Sequence, residues 1–166
     1  MRNFVFASLL VLSLGVCNGQ SSTGKPAEPA AIGVVFYLDS STQELKPLPN
    51  EQWKAKGRPG WTTATGVIEV SGVRSAFRIN SGEKTEFIFK TEHPETVSIY
   101  AFVLKKDHRQ FDLVKVGRER ETIQGIPAEL TKFGDSSYRL VPNSPLGPGE
   151  YVINMAGKMF TFGIDR

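Results

Sequence analysis

Cysteine is almost missing from this 166-residue chain: its one copy, Cys17, sits near the amino end. The residues after it have no disulfide, no thiol nucleophile and no thiolate metal ligand. Histidine is nearly as scarce, with two copies, each beside an acid in Glu92-His93 and Asp107-His108. No Asn-x-Ser/Thr acceptor occurs, because Asn80 is followed by Ser-Gly and Asn143 by Ser-Pro. No apolar run reaches the roughly 20 residues that a membrane-crossing helix needs, and no segment carries a sustained helical stripe. An excess of one charge is lacking too. The formal charge is +3, from 20 basic and 17 acidic residues. Nucleic-acid binders concentrate basic residues on one face, so this balance points away from nucleic acid. The catalytic fingerprints are also absent. No Gly-x-Ser-x-Gly elbow occurs, and Ser71-Gly72-Val73-Arg74-Ser75 lacks the lysine of a Ser-x-x-Lys base. No cofactor is expected.

What the chain does have begins with its leader. Arg2 precedes an apolar stretch over residues 4–16, rich in Leu, Val and Phe. About 13 residues is too short to span a bilayer as a helix, and it suits the core of an export signal. Two exits follow. Cleavage after Gly19 satisfies the small-residue rule through Gly19 and Cys17, giving a signal peptide over residues 1–19. Alternatively, Leu14-Gly15-Val16-Cys17 resembles a bacterial lipobox, with Cys17 lipidated as the first residue; Val16 stands where that motif takes Gly, Ala or Ser. Residues 20–31, rich in Ser, Gly, Pro and Ala, have the composition of a flexible linker. An exported, cysteine-free chain without glycosylation acceptors suits a bacterial envelope, with a periplasmic or extracellular location.

Residues 32–166 fit one domain, the usual size being roughly 100 to 150 residues. Period-two alternation dominates. Val34, Phe36 and Leu38 share a face and end at the turn cluster Asp39-Ser40-Ser41. Residues 73–79 read as a half-buried strand joined to Phe87 and Phe89 by a hairpin turn at Asn80-Ser81-Gly82-Glu83. Residues 97–104 are apolar on both faces, as in a central covered strand. The one helical candidate is a single turn over residues 50–56, capped by Asn50 and stopped by Gly57 and Pro59. Strand-like runs spaced by turn residues predict an all-β, antiparallel β-sandwich.

The sharpest local signal is Leu146-Gly147-Pro148-Gly149-Glu150-Tyr151. It resembles the L-x-P-G-x-Y approach to the penultimate strand of fibronectin-type and other immunoglobulin-like sandwiches. Pro148-Gly149 makes a turn whose Gly can take positive φ, and the resemblance implies a Tyr151 hydroxyl bonded back to the corner. Tyr151, Ile153 and Met155 then point inward, 156–158 turn, and Phe160, Phe162 and Ile164 return. With Val35-Phe36-Tyr37-Leu38 and Tyr138-Arg139-Leu140-Val141-Pro142, the wider pattern resembles small exported bacterial β-sandwich proteins of no assigned activity. That resemblance implies fold and compartment and carries no site.

For function, the residues favour contact over chemistry. The two histidines flank residues 97–105, which as one straight strand at about 3.3 Å per residue would hold them too far apart to share a metal. Lys105-Lys106-Asp107-His108-Arg109 reads as a solvated hairpin tip. Trp53 and Trp61 bracket Lys54, Lys56 and Arg58 in a basic, Gly/Pro-rich segment. Such a loop offers indole faces for sugars or cations, or else two lids on the sandwich end. These five residues are the expected binding site. The expected function is a non-catalytic binding module for a protein or glycan partner, meeting the membrane only through an anchor at Cys17. The alternatives are a lipid-anchored assembly accessory and an exported hydrolase.

Overall fold

The computed structural model describes residues 28–59, 64–116, 120–122 and 125–166. Among them the only helical element is a single 3-10 turn, Pro94–Thr96. The strands in chain order are β1 (Val35–Leu38), β2 (Leu45–Pro47), β3 (Asn50–Glu51), β4 (Trp53–Pro59), β5 (Ala64–Ser71), β6 (Arg78–Ile79) and β7 (Phe87–Phe89). After the 3-10 turn come β8 (Ser98–Ala101), β9 (Val103–Leu104), β10 (His108–Val116), β11 (Arg120–Thr122), β12 (Ala128–Lys132), β13 (Tyr138–Pro142), β14 (Gly149–Met155) and β15 (Lys158–Ile164). The all-β expectation holds, and the strands divide among three open sheets. The first runs β12-β13-β7-β1-β2, the middle one β3-β15-β14-β8, and the third β11-β10-β5-β4 with β9 also on β10. Pairing is antiparallel except for β6, which lies parallel to β15.

The β14–β15 hairpin explains how the layers join. Its register runs from Gly149 opposite Ile164 to Met155 opposite Lys158. The two-residue turn between them places Ala156 at φ 50° and Gly157 at φ 77°, the doubly positive geometry whose twist matches flanking strands. Alternation sends Tyr151, Ile153, Met155, Phe160, Phe162 and Ile164 to one side, where they pack with Val35, Phe87, Phe89 and Leu140 of the first sheet. Val152 and Met159 face the other way and pack with Ile68, Val70 and Phe111 of the third. The middle sheet is thus apolar on both faces. Burying a Phe side chain stabilises by roughly 1.5–3 kcal/mol, so the Phe87–Phe162 contact, 4.8 Å between centroids, anchors the larger core. The tyrosine corner is as expected: the Tyr151 hydroxyl donates to the Gly147 carbonyl at 2.8 Å. Gly149, however, does not take a positive φ, because it already begins β14 and pairs with Ile164.

Four local expectations are corrected. Residues 50–51 and 53–56 are strand, not helix: Asn50 and Glu51 pair with β15, and the Asn50 Oδ1 accepts from the Met159 amide at 3.2 Å, so the capping group is used by another strand. The turn containing Gly82 (φ 87°) does not close a hairpin. It carries the chain from β6 in the middle sheet to β7 in the first, where Ile88 is buried with Leu38 and Phe133 on the outer face. Residues 97–104 are two strands. The chain breaks at Phe102, whose amide donates to the Glu150 carbonyl at 2.8 Å, and passes from β8, at the edge of the middle sheet, to β9 in the third. The straight-strand argument for separating the histidines therefore does not apply.

Glu28, the first described residue, is held by the turn between β12 and β13. Its carboxylate accepts from the Ser137 hydroxyl at 2.8 Å, the Ser136 hydroxyl at 3.1 Å and the Ser136 amide at 3.3 Å, and also from the Asp135 amide. These donors belong to the turn between β12 and β13, which the Phe133 amide closes onto the Ser137 carbonyl at 3.0 Å.

Candidate functional site

Trp53, Lys54, Lys56 and Arg58 all lie in β4, so the expected loop is the edge strand of the third sheet. Seven register pairs, from Trp53 opposite Val70 to Pro59 opposite Ala64, hold it to β5. An edge strand accommodates Gly57 and Pro59. The Trp53 indole N–H donates to the Gly157 carbonyl at 2.9 Å, tying β4 to the β14–β15 turn, while 40% of the residue stays exposed. Lys56 Nζ sits 2.5 Å from Glu69. Trp61 and Cys17 lie outside the described residues.

The charge at Arg109 is the larger surprise. Expected at a solvated tip, it is fully buried between the third and middle sheets. Its guanidinium donates to Glu51 at 2.5 Å, to the Gly72 carbonyl at 3.1 Å and to the Ser75 hydroxyl, and lies 5.2 Å from the Phe102 ring centroid. Glu150 stands 3.5 Å away and also accepts from the Ser75 amide at 2.7 Å and from Arg78. Arg78 continues to Asp165 at 2.7 Å, and Arg74 reaches the same carboxylate at 3.0 Å. Three arginines thus face three carboxylates. The Asp165 carboxyl is held below its usual range, chiefly by the hydrogen bond from Arg78. This internally balanced array, buried at Arg109 and Glu150 and open to solvent at Arg74 and Asp165, ties the third sheet to the middle one; its groups already serve one another.

The histidines are partnered separately. His108 Nδ1 lies 2.7 Å from Asp107 and its Nε2 3.8 Å from Glu69, whereas His93 Nδ1 is 3.4 Å from Glu95. Among the described residues no group of three or more His, Cys, Asp or Glu side chains is placed to hold a metal ion.

A different place combines charge, concavity and access. On the outer face of the first sheet, an open pocket of about 420 Å³ is lined by Leu38, Ser40, Gln43, Lys84, Glu86, Lys132, Phe133 and Arg139. Strand pairing and one turn explain several of these positions. Ile88 and Arg139 oppose one another across β7 and β13, and Glu86 follows two residues back on the same outward face. Leu38 ends β1 with its amide on the Glu86 carbonyl at 2.9 Å. The Asp39 turn then presents Ser40 and Gln43, Asp39 Oδ1 accepting from Ser41 and Thr42 amides at 2.9 and 3.2 Å. Glu86 is buried and accepts from Arg139 at 2.6 Å and from Lys84. Burial alone would raise its carboxyl; the bonds from Lys84 and Arg139 outweigh that and hold it below the ordinary value. Lys132 lies 4.3 Å over the Tyr138 ring. The Arg139 Nε is buried without a hydrogen-bond partner among the described residues.

No protein-family model, curated protein or solved structure matches this chain.

The pocket itself then carries the chemical reading. Three cations surround one carboxylate already held by two of them, which leaves an anion-receptive surface over an apolar floor. No short-range pattern marks these residues. Lys84-x-Glu86 and Lys132-Phe133 are ordinary strand-end pairs until β1, β7 and β13 become neighbours. The only cue in the sequence was the Asp39-Ser40-Ser41 turn, which supplies part of the rim.

Proposed function

We propose that the protein is an exported, non-catalytic binding module that holds a protein or glycan partner in the periplasmic or extracellular space, with the outer face of its first sheet as the contact surface. The observation carrying the binding reading is the uneven charge of that pocket: Lys84, Lys132 and Arg139 against Glu86 alone. Small-ligand clefts usually measure about 300–1,000 Å³, and its volume falls inside that range. Export rests on the Arg2-led apolar stretch and on the composition of residues 20–31. The Tyr151–Gly147 bond supports reading the first and middle sheets as an immunoglobulin-like sandwich, to which the third sheet is added. Departure from the membrane proceeds by cleavage after Gly19 or by lipidation of Cys17.

The test has two arms. Full-length chain expressed in a bacterium should be recovered outside the cytosol, and purified domain should bind dextran sulfate, a polyanionic probe, in a titration calorimeter. Retention of the whole-length product in the cytosol overturns export; no heat with dextran sulfate overturns the contact surface.

A further inference from the structure

Resting on that binding reading, we propose that the first-sheet pocket receives an acidic sugar residue, a uronate unit of a glycan chain. The lining separates into the three chemistries that such a unit needs. A uronate carries one carboxylate, and Arg139 and Lys132 supply the opposing charge. The guanidinium has five N–H donors in a fixed fork, and the carboxylate of Glu86 takes one of its Nη2 bonds, so donors remain for a second anion. A sugar also carries hydroxyls, and the rim offers two neutral polar side chains, Ser40 and Gln43. The C–H face of a pyranose requires an apolar floor, here Leu38 and Phe133 with Ile88 packed behind them.

Gln43 adds an independent observation. It sits at φ 59°, a backbone region that favours glycine and that strains other residues. The strained turn is pinned by the Gln43 amide on the Asp39 carbonyl at 2.8 Å and by its Nε2 on the Ser40 carbonyl at 2.9 Å. Strain of this sort concentrates at ligand clamps and active sites. The result is an amide whose Nε2 is already fixed and whose oxygen is available as a hydroxyl acceptor. A surface reading charge alone has no use for Ser40 and Gln43. An acidic peptide would need charge and backbone partners; of the strands around the pocket, β1, β7 and β13 are already paired on both sides, and only the edge strand β12, which ends at Lys132, has an open side.

The purified domain is titrated with trigalacturonate, with maltotriose as the neutral sugar and with a short polyglutamate as the acidic peptide. Trigalacturonate should bind at least tenfold tighter than polyglutamate, and maltotriose should give no measurable heat. Lys132→Gln and Ser40→Ala should each weaken trigalacturonate severalfold, while Lys106→Gln on the β9–β10 turn leaves it unchanged. Circular dichroism confirms that each variant is folded, and the exposed Lys132 and Ser40 serve as alternates should one fail. Equal binding of polyglutamate, loss of binding in Lys106→Gln, or absence of trigalacturonate binding overturns the inference. Dextran sulfate binding that persists without trigalacturonate binding sinks this ligand and leaves the broader binding reading standing; silence with both probes removes the two together.

Discussion

The Glu28 carboxylate is gathered by backbone and hydroxyl donors, the side-chain hydroxyl of Ser137 first among them, and these draw its pKa from 4.5 down to about 2 against the smaller opposing effect of desolvation. The folded value is depressed, so the contact is fully present above the unfolded value of about 4.5 and is lost as pH falls through about 2. A carbon-detected titration of the Glu28 carboxyl should show its midpoint near 2, and Glu28→Gln at neutral pH should speed amide exchange at Asp135 and Ser136. A midpoint near 4.5 with unchanged exchange would show that Glu28 is not held by the turn between β12 and β13. Nothing in the sequence marks Glu28, because a lone acid in a Pro/Ala-rich stretch reads as solvation. Its acceptor role depends on a turn more than a hundred residues further along.

Among elements, β14 and β15 were the most legible. Their alternation, the two-residue turn and the tyrosine corner are all local signals, and each reports on a contact within a few residues. Strand β10 was the opposite case. A charge near a strand end reads as solvent-facing unless another layer supplies a counterion, and Arg109 finds its acceptors 58 positions away at Glu51 and 41 away at Glu150. The same blindness hid the pocket, whose lining comes from β1, β7, β12 and β13 and the turns beside them. The candidate strand β4 was misread for a related reason: Gly57 and Pro59 are local breakers, and only pairing along an edge neutralises them. Arg109→Met should therefore destabilise the domain by about 3–5 kcal/mol, since it leaves carboxylates buried without their full complement of donors. Urea unfolding measures it; a change below about 1 kcal/mol would mean that water already reaches the network.

At the scale of the molecule, two cores share one sheet. Neither can persist alone, because Phe160 and Phe162 serve one face and Met159 and Val152 the other along the same pair of strands. Phe162→Ala, which empties part of the larger core, should cost about 3–5 kcal/mol. It should also lower the melting midpoint equally by far-UV dichroism and by tryptophan fluorescence, to which Trp53 on the third sheet contributes. Two separated transitions would indicate layers that melt independently.

The order of strands along the chain gives this shared layer a further meaning. Residues 149–164 follow every other strand, yet both outer layers close upon them. A polypeptide emerging amino end first from the ribosome would expose two half-built faces until that hairpin arrives, and would then collapse around it in a single late step. Closure of both cores is thereby deferred, by strand order alone, until the end of the chain is present.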